Sequence, residues 1–479
     1  MSSPGGTNRP RPGPPIDPAT IPSPPVGSRL LGHQPAYAAD PLGTFSSWTL
    51  AHGEAVRLRF GPIRVLLLTG PQAAEDVLLH EAAAFHKAPV IRRASRAVIG
   101  HSVFAAEDDD WSRQRTVLDG FFSPDRMAVH VPVIADEVAA AARGWSARVT
   151  IETLRETMAL SQRIGAKVLF GAAATDADVT RVEAALAVTA ADFQARVNSV
   201  AHLLLPDWVP TPGAIRRRRA VSILDDITYR LIAERRRRPS GGPDLLGELL
   251  SEQRELPWLD DRLLRDNIVT LLVDSRENPA LLLTWALYLL ARHPDVADRL
   301  AAEVDDSLGG RPPEAADLPR LRLVAGVLRE TLRLYPPVYA TGRQAIRDCT
   351  VAGISVRRGT VVLVSPAVTH RDPRWFPDPD AFRPDRWLDS AIAGRPSGGY
   401  LPFGIGPRRC LGEHLAWTIG LVGLAMLVRD HRLEAVDPTP VEPRVLLSLQ
   451  PAREVMLRVK PRPSRARGGT PAETHRLDG

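Results

Sequence analysis

Phe403-Gly404-Ile405-Gly406-Pro407-Arg408-Arg409-Cys410-Leu411-Gly412 is rich in glycine, holds one cysteine and runs into an apolar, helix-like stretch, EHLAWTIGLVGLAMLV. Gly404 and Gly406 permit a tight turn that lets backbone approach a cofactor closely. A cysteine at the start of a helix meets unpaired N–H groups and the positive end of the helix dipole, and both favour the thiolate. Arg408 adds a nearby cation. The competing reading is a buried structural cysteine, which is the default for the second cysteine of the chain, Cys349.

Upstream, Asp261–His293 (DRLLRDNIVTLLVDSRENPALLLTWALYLLARH) is the most informative helical pattern. Its flanks, IVTLLV and ALLLTWALYLL, are apolar on every face, as in a helix that runs through a core. Five consecutive polar residues, Asp274 to Asn278, interrupt it at the centre. Burying ionisable groups without partners is costly, so the middle of this helix is expected to line a cavity, a cofactor or a buried polar network. Ala55–Leu68 (AVRLRFGPIRVLLL) alternates as a hairpin turning at Gly61-Pro62, and Cys349–Val364 carries a second strand-like patch with turns at Gly353 and Gly359. From Pro132 onward helical patterns dominate, and no internal repeat is present. The expected fold class is mainly α with a minor β component.

The glycine-rich segment matches Phe-x-x-Gly-x-Arg-x-Cys-x-Gly at every fixed position and so resembles the heme-binding signature of the cytochrome P450 family. Further motifs of that family follow. Glu330-Thr331-Leu332-Arg333 matches Glu-x-x-Arg, whose spacing puts both side chains on one helix face. Phe382-Arg383-Pro384-Asp385-Arg386-Trp387 resembles the segment that supplies a second arginine. By resemblance, Glu330, Arg333 and Arg386 form a buried structural triad that holds the loop leading to Cys410. Trp111 and Arg115 fit the Trp-x-x-x-Arg pattern that contacts heme propionates, and Arg343 and Arg408 occupy positions expected to do the same. The resemblance spans roughly Pro25 to Lys460. It implies the family's fold, heme b as cofactor with Phe403 and Gly404 in its binding loop, and Cys410 as the axial thiolate on iron, whose electron donation favours cleavage of an O–O bond.

One segment departs from the family. Where typical members read Ala-Gly-x-(Glu/Asp)-Thr-Thr, this chain has Asp274-Ser275-Arg276-Glu277-Asn278-Pro279. The acid is kept as Glu277, but the alcohol that helps deliver protons to iron-bound oxygen is replaced by Asn278, an amide that cannot act as an acid. Asp274 stands in place of a small alanine and shares a helix face with Glu277 and Asn278. Pro279 cannot donate to the Ser275 carbonyl, so a kink is expected there. Asp274, Glu277 and Asn278 are therefore the candidate catalytic residues. The first reading is a substrate that brings its own oxidising equivalent. Glu277 or Asp274 then assists cleavage of a weak O–O or N–O bond, with rearrangement, cyclisation or nitrene or oxygen transfer to follow. The second is an ordinary monooxygenase acting on a terpenoid- or polyketide-like molecule and needing O2, ferredoxin and ferredoxin reductase. A helper protein or heme sensor is the third; helpers of this family typically lose the cysteine signature, which is intact here.

Charge and composition add exclusions. Against 55 acidic residues stand 61 basic ones, nearly all arginine, a bias that fits a GC-rich genome better than selection for a polyanionic partner. The runs Arg216–Arg219 and Arg235–Arg238 lie at ends of helix-like stretches without interleaved aromatics, so solvated helix ends are the plainer reading than nucleic-acid binding. Two cysteines exclude a disulfide framework and suit a reducing cytoplasm. No apolar run of signal-peptide or spanning length opens the chain, and a cytoplasmic monomer away from membranes, serving a small-molecule substrate of secondary metabolism, is expected. The expected organisation is a Pro-rich flexible leader over 1–24, one domain over 25–460 and a flexible tail over 461–479. Pocket-lining loops are expected at Ala88–Asp110 and Ala195–Gly213, with Arg92, Arg93 and Arg96 as candidates for a substrate carboxylate beside a solvated or structural role.

Overall fold

The computed structural model describes residues 14–198, 209, 211–238, 244–388 and 394–462. In chain order the longer elements are α1 (Pro41–His52), β1 (Ala55–Phe60), β2 (Ile63–Leu68), β3 (Phe85–Lys87), α2 (Pro89–Ile99), α3 (Asp108–Phe121), α4 (Val131–Ser146), β4 (Thr150–Glu152), α5 (Thr153–Phe170), α6 (Asp176–Asn198) and α7 (Pro212–Arg237). There follow α8 (Leu245–Glu255), α9 (Asp261–Arg292), α10 (Pro294–Leu308), α11 (Arg322–Leu334), β5 (Thr341–Ala345), β6 (Cys349–Val351), β7 (Ile354–Val356), β8 (Val361–Val364), α12 (Glu413–Asp430), β9 (His431–Ala435), β10 (Pro443–Val445), β11 (Leu449–Pro451) and β12 (Met456–Pro461). The expected hairpin, the second strand patch and the long central helix are all present at their expected places. Helices also precede Pro132, among them α3, which buries only Gln114, Arg115, Leu118 and Phe121 among its 14 residues.

The chain forms two compact units. The first takes the described residues up to Arg92 together with Tyr339–Trp375 and Arg395–Arg409. Its core is a five-stranded sheet in the order β1-β2-β8-β5-β3, in which β2 and β8 run parallel and the other pairs antiparallel. Leu66 and Leu68 of β2 pack with Val362 and Val364 of β8 on one face, while Val65 and Leu67 pack with Phe45 and Val361 on the other, the alternation a pleated strand requires. The proline-rich start is described from Pro14 on. From Ile16 onward it is held: Ile16 bridges Ile354, the Pro22 carbonyl accepts from the Arg57 N–H at 2.8 Å, and Ile21 enters the core. Proline-rich backbone still offers carbonyl acceptors, and the two isoleucines supply apolar surface. Residues 1–13 lie outside the described residues.

The second unit holds Arg93–Val338, Phe376–Gly394 and the described residues from Cys410 on. Its axis is α9, an unbroken helix from Asp261 to Arg292 that continues through Pro279 and is N-capped by Asp260. Helix α5 packs tightly on it: the Thr157 and Thr284 hydroxyls meet at 2.7 Å, and a Cβ on Gly165 would come within 2.5 Å of Ser275 Oγ. Helix α11 has no side-chain cap of its own; Glu303 of α10 substitutes, accepting from the Leu323 and Val324 N–H groups at 2.7 and 3.0 Å. The arginine runs both belong to α7, one near each end. They are not uniformly solvated, as expected from sequence, because Arg217 is buried against Asp192 at 2.9 Å and Arg235 against Asp244 at 3.0 Å. Pro461 completes β12 and Arg462 pairs with Asp305, so the expected tail begins later than 461; 463–479 lie outside the described residues.

Candidate functional site

In the first unit the turn ahead of Cys410 is built by glycine. Gly404 and Gly406 take φ of +71° and +75°, and a Cβ on Gly406 would sit 1.9 Å from the Leu78 carbonyl oxygen. Only glycine fits that approach. Upstream, buried His370 accepts the Leu401 N–H on Nε2 at 2.9 Å, a support the sequence reading missed, and Leu401 in turn accepts from the Gly404 N–H. Arg343, on β5, donates to Thr341 Oγ1 at 3.0 Å and to the Gly342 carbonyl at 3.2 Å. Phe403 and Arg408 are half-buried.

In the second unit, Cys410 stands two residues before Gly412, the N-cap of α12. Its surface is open, yet protein surrounds it so closely that burial, followed by the charge of Asp274, pushes the thiol up to about 12. Both facts hold for a side chain on the wall of an enclosed space. The Gly412 N–H and Arg115 pull the other way but are outweighed. At the thiol itself desolvation outweighs the helix end. A charged sulfur at this position needs a cation against it. Cys349, half-buried on β6, is likewise pushed up by burial, and no aspartate or glutamate of the central helix acts on it.

Helix α9 carries Asp274, Ser275, Arg276, Glu277 and Asn278 past this point. Asp274 is exposed, although Leu272 and Ala280 on either side of it are fully buried. It therefore faces open space, and its charge is felt at Cys410. Glu277 does something else. Its Oε1 accepts from the Ser448 hydroxyl and from Gln450 Nε2 at 2.7 Å, both on the β10–β11 hairpin. Ser448 and Gln450 were not foreseen, since a serine and a glutamine so far along the chain carry no local signal. Asn278 is half-buried one turn beyond Asp274. On α3, Trp111 is half-buried and Arg115 is buried, with its Nε on Asp119 at 2.9 Å.

Another polar set orders the loop between α2 and α3. Asp266 and Asn267 of α9 accept from the His101 and Val103 N–H groups at 2.8 and 3.0 Å, while Asn267 Nδ2 and the His101 carbonyl engage Gln114 of α3. This half of the expected Ala88–Asp110 loop is pinned to the central helix; its first part is helix α2. Arg92 and Arg93 on α2 are half-buried and Arg96 is exposed. Much of Ala195–Gly213 lies outside the described residues.

The Glu-x-x-Arg pair sits fully buried on α11. The Glu330 carboxylate receives five donors: Arg333 Nη2 and Nε at 2.8 and 2.9 Å, the Arg383 N–H and Arg386 Nε at 3.0 Å, and Trp387 Nε1 at 2.8 Å. Arg333 also donates to the Ala381 carbonyl at 3.0 Å and lies 5.1 Å from the Phe376 ring centroid.

The family model for cytochrome P450 matches residues 22–459. The chain belongs to the cytochrome P450 family. It is 34% identical, over 89% of its length and 92% of the relative's, to cyclooctat-9-en-7-ol 5-monooxygenase of Streptomyces melanosporofaciens. With pentalenene oxygenase of Streptomyces avermitilis it shares 30% identity over 90% of the chain and 96% of the relative. The crystal structure of a cytochrome P450DA heme domain superposes with a TM-score of 0.84, covering 95% of this chain and all of that one at 22% identity, which establishes the fold. The cofactor of a cytochrome P450 is heme with an axial cysteine thiolate. Cys410 fits that ligand: its surface is open and its sulfur lacks a compensating charge. Cys349, tucked into the first unit's core, does not. Among the described residues, no helix is long and apolar enough to cross a membrane.

Proposed function

We propose that this cytochrome P450 tailors a terpenoid-like natural product by opening a weak N–O or O–O bond that the substrate already carries, without O2 or an external electron donor. The supporting observation is the centre of α9, where the acid is tied to the β10–β11 hairpin and the usual alcohol is replaced by an amide. Glu277 is engaged by Ser448 and Gln450, and Asn278 replaces the alcohol with an amide. Cys410, with Arg115 and Trp111 as candidates for the propionates, would hold heme, which would supply an electron-rich iron suited to breaking a bond between two heteroatoms. The chain's own residues do the rest. Asp274, open and with its charge felt at Cys410, takes a proton from the reacting substrate and hands it to the departing oxygen. Asn278 orients the substrate through its amide, which both donates and accepts.

The second reading, an O2-dependent monooxygenase supplied by ferredoxin and ferredoxin reductase, is favoured by the monooxygenase and oxygenase names of the relatives. Turnover of an O-acyl hydroxylamine bearing a tethered alkene, under argon and without redox partners, separates the two. The proposal expects a ring-closed product anaerobically, slowed roughly 10²–10⁴-fold by Asp274→Ala. Strict dependence on O2 and reductant, with label from O2 in the physiological product, overturns it and leaves the monooxygenase.

A further inference from the structure

We propose that Glu277, the acid retained from the family motif, is a positioning residue that fastens the β10–β11 hairpin to α9. The inference holds for either chemistry above, so its failure and theirs are separable.

Three side chains of α9 share the face that meets this hairpin, at spacings of eight and three residues. Glu277 Oε1 takes the Ser448 hydroxyl and Gln450 Nε2. Trp285 Nε1 donates to the Leu449 carbonyl at 3.1 Å, and Tyr288 Oη accepts from the Val441 N–H at 2.8 Å. The hairpin itself has three paired positions, Pro443 to Val445 against Pro451 to Leu449. A two-stranded ribbon of that size is marginal alone, so its placement depends on what it is tied to. Beyond α9, the Leu449 N–H reaches the Pro337 carbonyl at 3.0 Å. Trp285 and Pro337 hold the backbone of Leu449. Glu277 alone of these grips the side chains on either side of it, and it does so one turn from Asp274. Ser448 is buried, so its hydroxyl has no water to turn to once the carboxylate is gone. Both donors converge on Oε1, so the hold on the hairpin rests on that one oxygen of the carboxylate.

The test compares heme-loaded full-length protein with Glu277→Gln and Glu277→Ala. Gln keeps an oxygen acceptor for both donors but cannot carry a proton as an acid; Ala keeps neither. Hydrogen exchange of peptides covering 441–451 should quicken on the order of tenfold in the Ala variant, reporting local opening, and stay at the wild-type rate in Gln. If the Ala variant yields no heme-loaded protein, the Ser448→Ala/Gln450→Ala double variant, with Glu277 intact, should show the same faster exchange. Unchanged exchange in Ala or in the double variant overturns the proposal, as does a Gln variant that behaves like Ala.

Discussion

At the scale of single residues, Cys410 and the glycines before it were legible because their chemistry is local. A turn needing positive φ at Gly404 and Gly406 and a sulfur ahead of a helix are properties of ten consecutive residues. The reduced protein with carbon monoxide should accordingly show the red-shifted band of thiolate-ligated heme, absent in Cys410→Ala and retained in Cys349→Ala; loss of the band in the Cys349 variant alone would make Cys349 the ligand. The two glycines should also differ. A side chain at Gly404 meets nothing nearer than 3.9 Å, so Gly404→Ala carries only the left-handed strain of about 1–2 kcal/mol. Gly406→Ala adds a collision with the Leu78 carbonyl, and its heme content and melting temperature should fall well below those of Gly404→Ala. What sequence could not reveal was the balance at the sulfur, because burial and the charge of Asp274 come from distant segments. Restoring a hydroxyl with Asn278→Thr should leave the anaerobic reaction no faster, a rate measured on the same hydroxylamine probe.

Among the elements, α9 was legible almost to the residue, since apolar flanks on all faces leave few alternatives to a core helix. The spacing of Glu330 and Arg333 likewise foretold their pairing on α11, but not the Trp387 indole or the Arg383 N–H that complete the carboxylate's shell. Those donors arrive on a loop whose path no periodicity encodes. Removing one member of so enclosed a network leaves charge uncompensated and costs about 3–5 kcal/mol. Glu330→Ala and Arg333→Ala should therefore yield little soluble heme-loaded protein, and normal heme content with unchanged melting in both would remove their structural role. A milder test addresses the α5–α9 contact. Gly165→Ala pushes against Ser275 and should cost about 1–3 kcal/mol of stability, read by denaturant midpoint.

For the whole molecule, composition and motif order sufficed to foresee a mainly helical chain with a small sheet. They did not foresee two compact units that share the sequence in alternating stretches, because such interleaving arises from strand pairing across hundreds of residues. Nor did they reveal that the proline-rich start joins the first unit. Deleting residues through Pro24 removes the Ile16–Ile354 bridge and buried Ile21, the latter alone worth about 1.5–3 kcal/mol, and should lower the melting temperature measurably. The parallel pairing of β2 with β8 has a further consequence, in time. Val65 leaves the ribosome about 300 residues before Val361, its partner in the sheet. At roughly 5–20 residues per second, IRVLLL waits on the order of 15–60 s with one edge uncovered. An apolar strand left open for so long invites pairing with neighbouring nascent chains. Soluble yield should thus respond to chaperone supply and to growth temperature during synthesis more than to the stability of the finished enzyme.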